Sequence, residues 1–295
     1  MLRLWLRALR PEHSVKNLLV FVPLALAVTN TDTATFRAAA VLFVAMSLLA
    51  SATYIVNDIL DLEADRAHPT KRTRPFAAGV LKPWHGLITA AALGLAAAYL
   101  ALSALPSGAV AALAGYLVLT LAYSIYLKRL PFFDVIILAA LFTLRLAAGS
   151  LLLPGDHPVS PWLMSFSMLF FTSLAMIKRY SELQNTAQAG KTFIDSRGYA
   201  ELDLPLLLVS GVASGFGALT MFMVYLINEQ YPRDQYANPQ ILWIMMPVLL
   251  VWLLRMWHLT VKGEMLEDPV LGALRDRASL ALGGAIVVIL AVAIG

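Results

Sequence analysis

The chain has 295 residues, of which 60% are hydrophobic and 14% charged, with a mean hydropathy of +0.75. Soluble domains carry about a quarter charged residues, so this balance excludes a water-soluble globular protein and indicates a polytopic membrane protein. The formal net charge is +4 and cysteine is absent, which excludes disulfides, thiolate catalysis and zinc–cysteine sites.

The N-terminal stretch MLRLWLRALRPEHSVKN is basic and amphipathic and lacks a signal-peptide pattern. Residues 1–16 are expected to lie along the cytoplasmic surface of the bilayer, anchored by Trp5. A spanning helix needs about 20 mostly apolar residues. Runs of that kind predict nine spans, at 17–30, 37–57, 83–104, 108–127, 132–153, 161–178, 205–227, 240–259 and 279–294. The expected fold is all-α, a single domain over 1–295 whose helices bundle around a cavity open to the cytoplasmic face and laterally to lipid. Small residues within spans, as in GVASGFGA, serve close helix packing.

The breaks alternate between bland and charged. Of the 22 Lys and Arg residues, only Arg37 and Arg233 fall in the bland loops and only Arg145 falls well inside a span. The positive-inside rule then puts the N-terminus and every charged loop in the cytoplasm, and an odd number of spans puts the C-terminus outside. The expected location is the cytoplasmic (inner) membrane of a cell. No P-loop, GxSxG or GxGxxG motif is present, the five histidines are scattered, and no nucleic-acid partner is expected.

The second span ends in NDILDLEADRAHPTKRTRPFAAG, residues 57–79. Asp58, Asp61 and Asp65 stand at i, i+3 and i+7, within about 60° of one helix face. Asn57 borders that stripe and offers a carbonyl oxygen, whereas Glu63 points elsewhere. Like charges on one face repel unless a cation neutralises them, and hard oxygen donors with incomplete coordination suit Mg2+. Beyond the aspartates come His68, Lys71, Arg72 and Arg74. Part of this basic run is topology signal. Beside carboxylates it also suits a metal-bridged diphosphate, whose oxygens Arg and Lys contact.

Three other charged breaks leave spans on the same side: YSIYLKRLPFFD, IKRYSEL and DPVLGALRDRAS. Their convergence over one cavity would give an active site at the membrane–water boundary. Arg145, about eleven residues into the fifth predicted span, is a functional candidate because a charge in lipid is costly. A secondary transporter with an acidic ion site is the distant alternative, but transporters concentrate charge at the midplane and here it lies at one face.

NDxxDxxxD followed by a basic stretch, on a nine-span frame, resembles the UbiA-type intramembrane prenyltransferase superfamily over nearly the whole chain. Its members bind an allylic prenyl diphosphate through Mg2+ and two acidic motifs, and join the prenyl group to an aromatic acceptor. This sequence departs where the second acidic motif is expected. It has KRYSEL there, with Glu182 as the only acid near the helix exit and Asp195 farther along. The segments RALRPEHSVKNLLVFVPLALA, NDILDLEADRAHPTKRTRPFAAG and YSIYLKRLPFFDV more closely resemble the decaprenyl-phosphate phosphoribosyltransferase branch.

That resemblance implies transfer of 5-phosphoribose from 5-phosphoribosyl 1-diphosphate (PRPP) to a polyprenyl phosphate of the decaprenyl type. The product would be a lipid-linked arabinose precursor for cell wall biosynthesis. Prenyl transfer to an aromatic or other lipid acceptor is the alternative within the superfamily. The resemblance implies that Asn57, Asp58, Asp61 and Asp65 hold Mg2+ on the diphosphate, the three aspartates being the catalytic set. Lys16, Asn17, Tyr126, Lys128, Arg145 and Lys178 become candidates for phosphate and ribose contacts, with His68, Lys71, Arg72, Arg74 and Glu182. Membrane lipids are the surroundings, and association into a homo-oligomer is left open.

Overall fold

The computed structural model describes residues 1–27, 32–67, 71–153, 159–188, 190, 193–194, 197–233, 236–265 and 268–295. The fold is all-α apart from a two-residue antiparallel pair, β1 (Phe193–Ile194) with β2 (Tyr199–Ala200). In chain order the helices are α1 (Leu2–Leu9), α2 (Val22–Leu26), α3 (Thr33–Leu60), α4 (Leu62–Ala67), α5 (Pro83–Ala104), α6 (Ser107–Ile125), α7 (Phe133–Ser150), α8 (Pro161–Gln188), α9 (Leu204–Tyr225), α10 (Met245–Val261), α11 (Pro269–Arg275) and α12 (Arg277–Ile294). Among the described residues, eight helical segments are long and apolar enough to cross a membrane: α3, α5, α6, α7, α8, α9 with its flanking turns, α10 with the turn before it, and α12.

These eight correspond to the second through ninth predicted spans. Of the first, expected at 17–30, residues 28–30 lie outside the described residues; the described part is the end of a 3-10 run over Pro11–Phe21 followed by the five-residue α2. Pro23 lacks the N–H that an α-helix begun at residue 17 would need at that point, so the tighter winding precedes it.

Local chemistry sets most helix ends. Asp32 caps α3 by accepting the Thr35 N–H at 2.8 Å, and Asp276 caps α12 by accepting the Ser279 N–H at 2.9 Å. Prolines open α5, α8 and α11, where a missing N–H costs nothing.

The chain forms two compact units. In the first, which gathers α1–α6 and α7 from Leu144 on, α3 is the central helix and packs on α5, α6, α1 and the 3-10 run. Gly149 of α7 lets the 3-10 run approach closely: a Cβ there would stand 2.2 Å from the Val20 carbonyl oxygen. In the second, α8 and α9 form the main contact, joined by α10 and α12. Gly211 of α9 makes room for Trp257 of α10, whose ring would otherwise lie 2.2 Å from its Cβ.

Candidate active site

The acidic stripe keeps its helical register across the break between α3 and α4. The Asp61 N–H donates to the Asn57 carbonyl at 2.9 Å and the Asp65 N–H to the Asp61 carbonyl at 2.8 Å. The i, i+3, i+7 spacing therefore delivers its three carboxylates to one side, as the sequence predicts. Asp58 is 2% exposed and Asp65 4%, Asp61 is half-buried, and Glu63 stands in the open.

Each buried carboxylate meets a cation. The Arg74 Nη1 donates to Asp65 Oδ2 at 2.7 Å and to Asp58 Oδ1 at 3.2 Å, bridging the first and last aspartates. The Lys128 Nζ donates to Asp61 Oδ1 at 2.5 Å and to Asn57 Oδ1 at 3.3 Å, while Asn57 Nδ2 donates to Asp61 Oδ2 at 3.1 Å. The Arg10 Nη2 donates to Asp58 Oδ1 at 2.7 Å. Sequence reasoning had singled out Arg74 and Lys128 and missed Arg10, which is 48 positions from its partner.

Among the described residues no three His, Cys, Asp or Glu side chains cluster as a ready-made ion site. The donors are nonetheless all hard oxygens. Asp58 Oδ2 is buried with no hydrogen-bond partner, and one nitrogen of Arg74 sits where the Asp58 and Asp65 carboxylates converge. An acceptor oxygen shut away from water without a donor is costly, and a cation bound there would satisfy it. The donor set fits a hard divalent ion.

A second polar cluster in the same unit surrounds Arg145, which is 4% exposed. Its Nε donates to Asn17 Oδ1 at 2.8 Å and its Nη2 to the Tyr116 hydroxyl at 2.9 Å, with the guanidinium 4.7 Å from the Tyr116 ring centroid. The Asn17 Nδ2 donates in turn to Ser47 Oγ at 3.0 Å. Two sequence candidates, Asn17 and Arg145, are thus brought together, and Tyr116 and Ser47 join them. Lys16 is half-buried beside Asn17, Lys71 is half-buried and Arg72 exposed. Tyr126 is 59% exposed and does not join the acidic cluster. His68 and Asp195 lie outside the described residues.

In the second unit KRYSEL places Lys178 at a half-buried position of α8. Arg179 and Asp134 form an ion pair with both side chains fully enclosed. Arg179 also pairs with Glu182 one turn on, whose side chain is 26% exposed. The Tyr199 hydroxyl donates to Asp134 Oδ1 at 2.7 Å and accepts the Phe132 N–H at 2.7 Å. Burial and the Asp134 charge hold the Tyr199 hydroxyl well above its ordinary pKa, so it stays a donor. Glu182 is thereby a partner of a buried arginine. Asp134 and Tyr199 were missed; an aspartate directly before the apolar run of α7 was the available signal.

The fold is shared with solved structures. A UbiA homolog from Archaeoglobus fulgidus, determined with DMAPP and Mg2+, superposes with a TM-score of 0.72 at 16% identity, covering 98% of this chain and 97% of that one. Residues 18–270 match the UbiA prenyltransferase family, and the chain belongs to it. An uncharacterized protein of Sinorhizobium fredii is 40% identical over 283 residues, 96% of this chain and 54% of the relative. The decaprenyl-phosphate phosphoribosyltransferase of Mycobacterium tuberculosis is 32% identical over 278 residues, 92% of this chain and 87% of the relative. The chain therefore spans about half the length of the first relative and most of the second.

Proposed function

We propose that the protein transfers 5-phosphoribose from PRPP to a polyprenyl phosphate, releasing diphosphate, in a Mg2+-dependent reaction at the cytoplasmic face of a membrane. The observation that carries this reading is the likeness to a decaprenyl-phosphate phosphoribosyltransferase along nearly the whole chain. The departure at KRYSEL agrees with it. Where a second acidic motif would take metal for a second set of phosphate contacts, this chain has two adjacent basic residues, Lys178 and Arg179, the latter paired with Asp134.

Asn57, Asp58, Asp61 and Asp65 would hold the metal, which supplies positive charge against the departing diphosphate. Arg74 and Lys128 stand at the same carboxylates and orient the donor through its phosphates. The acceptor phosphate is ionised near pH 7, so it attacks C1 without a protein base. The C1–O bond to diphosphate breaks as the C1–O bond to the lipid phosphate forms, inverting the α donor to a β product. Arg145, carried with Asn17 and Tyr116, is the contact for the ribose phosphate or the acceptor. The A. fulgidus homolog with DMAPP supports a second reading, prenyl transfer to an aromatic or other lipid acceptor.

Purified protein in detergent with radiolabelled PRPP, polyprenyl phosphate and Mg2+ separates the two. Label passing into the lipid phase, lost with EDTA and in Asp61→Asn but kept in Glu63→Gln, supports phosphoribosyl transfer. No label in lipid, with prenyl diphosphate consumed instead, rejects it in favour of the second reading.

A further inference from the structure

Arg10 sits in an unusual place. Its backbone is left-handed, φ 51° and ψ 56°, a conformation that side chains with a Cβ adopt only where the surroundings impose it. The surroundings do so here. Ala8, just before it, is wholly buried in a cluster with Ala52 and Ile55 of α3, and Ser51 Oγ donates to the Leu9 carbonyl at 2.9 Å. Pro11 fixes the chain on the other side. The turn aims the Arg10 guanidinium at Asp58 and over the Tyr54 ring, 5.5 Å from its centroid.

The contacts at Asp58 are lopsided. Both Arg10 and Arg74 donate to Oδ1, while Oδ2 is buried and takes no hydrogen bond. One carboxylate oxygen thus anchors two guanidiniums and the other is left for a cation. A guanidinium carries five N–H donors in a planar fork, and Asp58 uses one of those on Arg10. The Arg10 side chain is 19% exposed, so it is not sealed inside the cluster as Asp58 is.

We propose that Arg10 is a further substrate-binding residue: anchored on Asp58, it presents its remaining N–H groups to the oxygens of the donor's diphosphate. The proposal rests on the diphosphate half of the function above, and is indifferent to whether that diphosphate carries ribose or a prenyl chain. It makes the turn after α1 part of the donor site, although it precedes the acidic motif by almost fifty residues.

The test is calorimetric binding of Mn2+ alone, and of inorganic pyrophosphate with Mn2+ present, to the full chain in detergent. A charge-assisted hydrogen bond to phosphate implies that Arg10→Gln weakens pyrophosphate binding by about tenfold or more, while Mn2+ alone binds as tightly as before or more so. Arg10→Lys keeps a cation for Asp58 and surrenders the fork, so pyrophosphate binding falls several-fold there too. Arg10→Lys also serves if Arg10→Gln does not fold, as judged by thermal melting. Pyrophosphate binding at the wild-type level in a folded variant overturns the proposal. Equal loss of Mn2+ and pyrophosphate overturns it as well, since Arg10 would then only order Asp58. Failure of the wild-type chain to bind pyrophosphate with Mn2+ removes the diphosphate reading itself. Normal wild-type binding with unaffected Arg10 variants removes this inference alone.

Discussion

Replacing Arg179 by methionine tests the strongest structural claim in the second unit. The substitution keeps much of the side-chain volume and removes the charge from a pair in which both partners are fully enclosed. Asp134 would be left with the Tyr199 hydroxyl as its neighbour and no arginine. Stranding a buried charge in this way costs about 3–5 kcal/mol, a large part of the roughly 5–15 kcal/mol that holds a folded protein together. At about 2–4 °C per kcal/mol for a chain of this order of size, the melting midpoint falls by about 10 °C. Asp134→Leu combined with Arg179→Met removes both charges, and should recover at least about 2 kcal/mol of that loss. Thermal melting of purified protein, in one detergent at one scan rate, reads the order of midpoints even where unfolding is irreversible. A double variant as unstable as the single one would refute the pairing argument, and so would a single variant that melts with the wild type.

Two further outcomes follow from packing and charge. Gly149→Ala places a methyl group 2.2 Å from a backbone oxygen that cannot turn aside. It should cost about 1–3 kcal/mol, whereas Gly94→Ala, with nothing within 4 Å, should gain about 0.5–1 kcal/mol in the α5 interior; the same melting assay compares them. Asp276 is held well below the usual carboxylate range by the hydrogen bonds from Arg255 and Ser279. A lowered folded pKa means that its contribution is present above the unfolded value near 4 and is lost as pH falls through the folded one. The gap in midpoint between wild type and Asp276→Asn should therefore be flat from pH 7 to pH 5 and close at lower pH.

The parts of this molecule that were legible in the sequence are those set by local spacing. Apolar runs between charged breaks mark eight of the spans, and the three aspartates on one turn-spaced face survive the change from α3 to α4 because the backbone hydrogen bonds carry across it. Arg74 was also visible as a cation following the acidic stripe, whereas Lys128 was singled out only as a phosphate or ribose contact in another charged break. The 3-10 winding inside the first expected span was not legible, because apolar content says nothing of winding. Arg10 was passed over for a different reason. Its role depends on a left-handed backbone and on a partner far along the chain, neither of which has a periodic signature. The Asp134–Arg179–Tyr199 cluster draws on the starts of two elements and the middle of a third. Lone charges at span ends read as topology signal until the fold encloses them.

The cluster at the end of α3 has one more consequence. Asp58, Asp61 and Asp65 are matched by Arg10, Arg74 and Lys128, one formal charge against each. The six groups sum to zero before anything binds. A divalent cation arriving by itself would leave an uncompensated positive excess at the edge of a membrane, and a diphosphate by itself a negative one. Arriving together they nearly cancel, so the electrostatic balance of the resting cluster favours the ion and the anion as a joint cargo over either alone.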